Sequence, residues 1–208
     1  MSQQNQTNQS NQPNQRTAHI DRRAFVKQLI AACPDALVIT GLGSATYDVY
    51  AAGDRPENFY LWGAMGGAAA VGLGLALAQP KRTVLVITGD GEQLMGIGAL
   101  ATIGAQKPAN LNIIVIDNGH FGETGMQRSH TSLGTDLAAV ARGCGIGKVV
   151  TVNTLEQLPS LAADINTRSG ALLAQVFVQA DELPRALPTR DGVYTKNRFR
   201  EALGFGPV

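Results

Sequence analysis

Cysteine is nearly absent: the 208 residues hold two, Cys33 and Cys144. Thiols that far apart make neither a CxxC pair nor a disulfide framework, and two cannot build a four-thiolate iron–sulfur cluster. Both are expected as reduced core thiols in a cytoplasmic protein. An excess of one charge is also missing. Lys and Arg total 17 against 16 Asp and Glu, a formal net charge of +1, so nucleic acid is not a favoured partner. The chain opens on a polar Gln/Asn/Ser tract, Ser2 to Gln15, where a secretory signal would need an apolar run. Such a tract buries too little surface to offset its ordering entropy, and residues 1–17 are expected to form a disordered tail. The one long apolar stretch, Trp62 to Ala78, is too short to span a bilayer comfortably. It is rich in Gly and Ala, which suits a buried helix in close contact with its neighbours and not a membrane.

What is present is globular. Hydrophobic residues make up 44% and charged residues 16%, enough for one domain with an ample core. Asp21 is placed to cap a helix reaching Ala32, and Ala36 to Thr40 reads as a buried strand. Ser44 or Thr46 opens a helix to Ala52, Phe59-Tyr60-Leu61 a short strand, and Gly66 to Ala78 a helix ending before Pro80. Residues 83–88 form the next strand, 92–105 a helix and 111–116 a strand, followed by a long glycine-punctuated loop to Gly134. Thr135 is expected to cap a helix to Arg142. Lys148 to Val152 is a strand, Thr154-Leu155-Glu156-Gln157 a capping box for a helix to Thr167, and Leu172 to Val178 the last strand. This alternation predicts a three-layer α/β fold, an open and mostly parallel sheet with helices on both faces. The domain is expected over 18–180, with 181–208 as a C-terminal extension.

Two strand ends carry the chemistry. Thr83 to Thr88 closes in Gly89-Asp90-Gly91, and Ile113 to Ile116 closes in Asp117-Asn118. In parallel sheets ligands sit beyond the carboxyl ends of the strands, and both segments fall there. Asp90 and Asn118 offer the hard oxygens that Mg²⁺ prefers, usually alongside a phosphate-bearing ligand. Gly89 and Gly91 let backbone amides approach a diphosphate closely. The Gly41-Leu42-Gly43 turn has Thr46 where a dinucleotide fingerprint needs glycine, so NAD is not indicated. It fits better as a strand-to-helix turn offering amides to a phosphate, with Ser44 adding a hydroxyl.

Gly89-Asp90-Gly91 and Asp117-Asn118, with 25 residues between, resemble the thiamine diphosphate motif. Trp62-Gly63-Ala64-Met65-Gly66-Gly67 upstream and Gly119-His120-Phe121-Gly122-Glu123-Thr124-Gly125-Met126-Gln127 downstream extend the match. From about Asp21 to Leu203 the chain resembles the diphosphate-binding half of thiamine-diphosphate-dependent 2-oxoacid decarboxylases. Within that family it is most similar to the β subunit of sulfopyruvate decarboxylase and the matching half of phosphonopyruvate decarboxylase. Pro188-Thr189-Arg190-Asp191-Gly192 and Lys196-Asn197-Arg198-Phe199 share in the narrower likeness.

The resemblance implies thiamine diphosphate and Mg²⁺ as cofactors. Asp90, the Asn118 side chain and the His120 carbonyl would hold the metal. Gly43, Ser44, Gly89, Gly91, Glu92, Phe121, Gly122 and Glu123 would line the cofactor site, with Ser44 and the Gly91 and Glu92 amides on the diphosphate. Met65 would be the wedge that bends the cofactor into a V, and the Gly63 carbonyl would accept from the pyrimidine amino group. Met65 and His120 are the candidates for catalytic roles, His120 also as a proton donor. Asp117 and Arg128 depart from the family pattern. His130, Arg128, Arg190, Lys196 and Arg198 are weighed as loop structure, solvated charges or substrate and partner contacts.

The glutamate that activates the pyrimidine ring belongs, in the family, to a separate pyrimidine-binding domain. The resemblance therefore implies a partner subunit supplying it, met through the apolar stretch Trp62 to Ala78, the loop after Asn118 and the basic segment Arg190 to Arg200. The expected reaction is decarboxylation of a small-molecule 2-oxo acid, sulfo- or phosphono-substituted on the narrower likeness, to an aldehyde. The alternatives are a thiamine-dependent carboligase, a 2-oxoacid oxidoreductase subunit, and a non-catalytic cofactor-binding subunit.

Overall fold

The computed structural model describes residues 20–206, and the tail expected to be disordered lies outside them. Six parallel strands form one sheet in the order β2-β1-β3-β4-β8-β7. They are β1 (Leu37–Thr40), β2 (Asn58–Tyr60), β3 (Val84–Gly89), β4 (Leu111–Asp117), β7 (Lys148–Val152) and β8 (Leu172–Phe177). A two-stranded antiparallel hairpin, β5 (His120–Phe121) and β6 (Gln127–Arg128), rises from the loop after β4. The helices are α1 (Arg22–Ala32), α2 (Ser44–Ala52), α3 (Ala68–Ala78), α4 (Asp90–Met95), α5 (Ala99–Gln106), α6 (Leu137–Gly143), α7 (Leu158–Thr167) and α8 (Gly192–Ala202).

The central strands are mostly apolar because both sheet faces are covered. Their side chains still alternate. Leu85, Ile87, Ile114 and Ile116 join a core with Phe25, Leu29, Val49, Leu161 and Ile165 from α1, α2 and α7. Val84, Val86, Ile113 and Val115 join the opposite core with Ala69, Leu73, Leu100, Ile103 and Leu137 from α3, α5 and α6. Three layers result. Among the described residues no helix is long and apolar enough to cross a membrane.

The single helix expected over 92–105 is two, broken at Gly96–Gly98. A β-carbon on Gly96 would lie 2.0 Å from the Gly66 carbonyl oxygen, so the chain bends where another backbone crosses it. Asp136, not Thr135, caps α6 through the Ala139 N–H at 2.9 Å. The Thr154 capping box is present, but it closes a 3-10 turn, Leu155–Gln157, ahead of α7. Cys33 is buried, and burial pushes its thiol up to about 11. Cys144, expected in the core, is only half-buried because it caps the end of α6.

The C-terminal segment folds back on its own chain. The Gln179 N–H donates to the Ile20 carbonyl at 3.0 Å, Arg23 to the Pro184 carbonyl at 2.8 Å, and the Trp62 indole to the Thr189 carbonyl at 2.9 Å. Asp191 caps α8 through the Tyr194 N–H at 3.0 Å, and buried Phe199 meets Phe59 edge to face with centroids 5.5 Å apart. Arg190 stacks over Trp62 at 5.5 Å and Arg198 pairs with Asp54 at 2.5 Å. These arginines, weighed as substrate or partner contacts, hold the chain's own segments together.

Candidate functional site

From β1 the chain passes through α2 to β2 on one side, then through α3 to β3 on the other side of β1. The sheet order thus reverses between β1 and β3, where open parallel sheets leave a crevice at their carboxyl ends. The Gly41–Gly43 turn follows β1 and Gly89-Asp90-Gly91 closes β3. The register pairs Gly89 with Ile116, which sets Asp90 level with Asp117 on β4.

A cavity of about 360 Å³ opens there. Gly43, Ser44, Met65, Gly89, Asp90, Gly91, Glu92, Asn118, His120, Phe121, Gly122 and Glu123 all line it. Gly63 does not; it is exposed, at φ +75, on the segment leading to Met65. Gly43 has φ +86, a left-handed conformation open to glycine at little cost, and it forms the N-cap of α2. Gly91 must lack a β-carbon, which would lie 2.6 Å from the Phe121 ring. Phe121 therefore packs directly against the buried Gly91 turn.

Asp90 is almost completely buried, at 2% exposure. It accepts from the Ser129 hydroxyl, and Thr131 lies within 3.2 Å. Burial and the neighbouring Asp117 carboxylate push its carboxyl up to about 6 against the effect of these hydroxyls. Asp117 accepts from the Gly119 N–H at 2.9 Å, from Thr131 at 2.9 Å and from the Gln175 amide at 2.7 Å. It holds the strand end and the following loop. The Asn118 side-chain oxygen accepts from the His120 N–H at 2.9 Å, keeping one lone pair free. The His120 ring turns back on its own backbone, Nδ1 lying 2.8 Å from the Asn118 carbonyl oxygen.

Glu92 lines the cavity and is 2% exposed. It accepts from the Thr88 hydroxyl at 2.9 Å and faces the backbone amides of Leu42, Gly66 and Ala68. A β-carbon on Gly41 would lie 1.5 Å from it. Glu92 thus ties the Gly41–Gly43 turn to the segment that presents Met65. Burial raises its carboxyl above the usual range. Met65 is 39% exposed and Met95 63%, so both present apolar surface at the open side of the cavity. Glu123 is half-exposed, accepts from Tyr47 at 3.3 Å and pairs with Arg185 at 3.1 Å. His130 stands edge to face with Phe121 at 6.0 Å, and Arg128 donates to Ser132 at 3.3 Å.

Sequence reasoning missed Arg22, Ser129, Thr131 and Gln175. Ser129 and Thr131 follow the motif in a loop without a pattern of its own, and only the fold returns them to Asp90. Asp117 was legible as a departure from a motif, but its partner Gln175 belongs to β8.

The C-terminal TPP binding domain of thiamine pyrophosphate enzymes matches residues 41–176. The phosphonopyruvate decarboxylase of Streptomyces viridochromogenes is 41% identical over 163 residues, covering 78% of this chain and 41% of that protein. The sulfopyruvate decarboxylase subunit beta of Methanococcus maripaludis is 32% identical over 188 residues, 88% of this chain and 98% of that one. The chain spans less than half the length of phosphonopyruvate decarboxylases that it matches, 41% of one and 45% of another. Among solved structures, benzoylformate decarboxylase from Polynucleobacter necessarius superposes with a TM-score of 0.69 at 20% identity, covering 81% of this chain and 35% of that one. At that identity the likeness speaks for the fold alone.

Proposed function

The chain belongs to the thiamine pyrophosphate enzymes, as their C-terminal TPP binding domain, and from that premise we propose that it is the diphosphate-binding subunit of a 2-oxoacid decarboxylase. Its cofactors are thiamine diphosphate and Mg²⁺. The observation that carries the reading is convergence. A glycine turn, a buried carboxylate, an amide oxygen and an exposed methionine, from four separate segments, meet in one cavity at the sheet's reversal point.

The residues fit such a cofactor. Asp90 is a carboxylate whose proton affinity is raised by burial and by Asp117, and a dication beside it supplies the missing opposite charge. The Asn118 side chain and the His120 carbonyl complete the oxygen donors from the chain. Ser44 and the amides at Gly91 and Glu92, in the first turn of α4, would hold the diphosphate. Met65 would support the cofactor and the Gly63 carbonyl would accept a hydrogen bond from it, and Glu92 ties the segment that carries both to the Gly41–Gly43 turn. When bound, the cofactor supplies the electron sink for loss of carbon dioxide from a 2-oxo acid. The chain orients it, balances its charge and excludes water along the Phe121 and Met65 walls. With the His120 ring folded onto the Asn118 carbonyl, its main chain is the part that serves the metal.

The substrate class follows the relatives, named as phosphonopyruvate and sulfopyruvate decarboxylases, so the acid is a sulfo- or phosphono-substituted 2-oxo acid. The relatives named as subunit beta support a separate partner subunit, and the pyrimidine-domain glutamate is its proposed contribution. The test is carbon dioxide release by the chain co-purified with such a partner, given thiamine diphosphate, Mg²⁺ and a panel of 2-oxo acids. Release from sulfopyruvate or phosphonopyruvate with the matching aldehyde is expected. Cofactor uptake without release from any 2-oxo acid would sink the decarboxylase assignment.

A further inference from the structure

Arg22 is 4% exposed and stands on the first turn of α1, yet it lines the cofactor cavity beside Leu42, Gly43, Ser44 and Asp90. It also lines the adjoining cavity of about 460 Å³ that contains Ser44, Asn118, Gly122 and the chain after β8. Its Nη1 donates to Asp48 at 2.5 Å and to the Ser44 carbonyl at 3.2 Å. Its Nε is buried without a partner, and its Nη2 has none among the described residues. Asp48, wholly buried, is the only carboxylate within ion-pair distance of Arg22 among those residues, and Arg23 claims its second oxygen at 3.0 Å. One carboxylate thus faces two guanidinium groups. A positive charge is left over beside the turn on which Gly43 and Ser44 stand.

A buried charge with spare donors is costly unless an anion completes it. Of the other acids around the cavities, Glu123 is held by Arg185 and Tyr47, Glu92 accepts from Thr88 and Asp90 from Ser129, while Asp181 and Glu182 are exposed on the chain after β8 and neither is within ion-pair distance of Arg22. We propose that the missing anion is the diphosphate of the cofactor, and that Arg22 binds it directly across the Ser44 turn. The inference rests on the thiamine diphosphate reading and adds to it a fixed positive charge, supplied by α1 from outside the strand-end motif. Arginine suits the position because its planar fork can hold Asp48 and the Ser44 carbonyl through one nitrogen while the remaining donors face a phosphate.

The test separates this role from a merely structural one. Removing Arg22 alone leaves Asp48 with a single partner, so the decisive variant is Arg22→Gln combined with Asp48→Asn. Asp48→Asn alone is its companion. The full chain, co-purified with its pyrimidine-domain partner, is titrated calorimetrically with Mg²⁺ plus thiamine diphosphate, Mg²⁺ plus inorganic pyrophosphate, and unphosphorylated thiamine, and melting is followed in parallel. The double variant should melt as a folded protein and lose about 10- to 100-fold in affinity for both diphosphates, with no change for thiamine. Asp48→Asn alone should bind the diphosphates at least as tightly as the wild type, since it frees Arg22. If Arg22 only secures Asp48, the double variant keeps wild-type pyrophosphate affinity, and the inference fails alone. If the wild-type assembly takes up neither diphosphate, the cofactor reading fails and the inference goes with it.

Discussion

At the scale of single residues, Asp90 is where burial and function pull against each other. Its carboxyl sits at about 6 against an ordinary 3.8, raised by burial first and by Asp117 second. A folded-state value above the unfolded one means that the native, metal-free chain holds the proton more tightly. That contribution is fully present below about pH 4 and is lost as pH rises through about 6, on the order of 3 kcal/mol in all. Metal binding needs the ionised form, so Mg²⁺-dependent affinity for thiamine diphosphate should fall as pH drops below about 6. Asp90→Asn should abolish that affinity and leave the fold intact. In the metal-free state it should also remove the decline in melting temperature between about pH 4 and 7. Equal melting profiles for variant and wild type would count against the assignment, and so would unchanged affinity. Met65 offers the complementary case. At 39% exposure it is not a core residue, so Met65→Ala should change stability by no more than about 0.5 kcal/mol. Turnover of the assembled enzyme should fall about tenfold, roughly 1.4 kcal/mol in the barrier, with diphosphate anchoring largely retained. A large melting shift with normal turnover per folded molecule would mean that Met65 packs rather than shapes the cofactor.

At the scale of elements, the site is assembled by backbones that nearly touch. Gly96, between α4 and α5, and Gly66, one residue past Met65, approach so closely that a β-carbon on Gly96 meets the Gly66 carbonyl at 2.0 Å. No side-chain rotation relieves that clash. Gly96→Ala should destabilise the chain by about 1–3 kcal/mol and, by moving the Met65 segment, weaken cofactor binding as well. Gly98→Ala, whose methyl meets nothing within 4 Å, serves as the control and should melt near the wild type. Identical melting of the two variants would show that the crossing is not a constraint. The same contact explains what could be read from the sequence. β3, β4 and β8 were legible because strands buried on both faces are runs of β-branched and aliphatic residues bounded by turns, and the half-exposed edge strand β7 because Val149 to Val152 is such a run as well. Asp90 and Asn118 were legible because each ends such a run. The break at Gly96 was not, because its cause is Gly66, which lies far away along the chain. Ser129 and Thr131 were hidden for the same reason, and so was Arg22, a charged residue in an ordinary amphipathic helix. α8 escaped notice because its buried side is little more than Thr195 and Phe199 among charged neighbours, and Phe59 receives it from the other end of the chain.

At the scale of the whole molecule, the described residues form one six-stranded sheet with one crevice, and the thiamine diphosphate reading fills half of a catalytic site. The cavity is bounded on the chain's side by Gly43, the Gly89–Glu92 turn, Asn118, His120 and Met65. Its open side carries Met65 and Met95, 39% and 63% exposed, and α3 leaves Val71 and Leu77 outward, 37% and 52% exposed. Exposed apolar side chains of that size, next to a cofactor that must be shielded from water, suit a surface covered in the working enzyme. The C-terminal segment does not cover it, because Arg190, Arg198 and Phe199 are committed to Trp62, Asp54 and Phe59. A second copy of the same chain would bring another diphosphate half and no pyrimidine-domain glutamate. The chain alone should therefore bind Mg²⁺ and thiamine diphosphate weakly and release no carbon dioxide from any 2-oxo acid. Mixing it with a pyrimidine-domain subunit should restore both tight cofactor binding and release, with the rate saturating as the partner is added. Replacing Leu77 and Val71 by lysine should weaken the assembly if α3 is part of the covered face, without altering the melting of the isolated chain. The measurement is carbon dioxide release against partner concentration, with the isolated chain judged pure by intact mass. Steady release by that single polypeptide would show that the glutamate or its equivalent lies within this chain, and the half-site argument would fall.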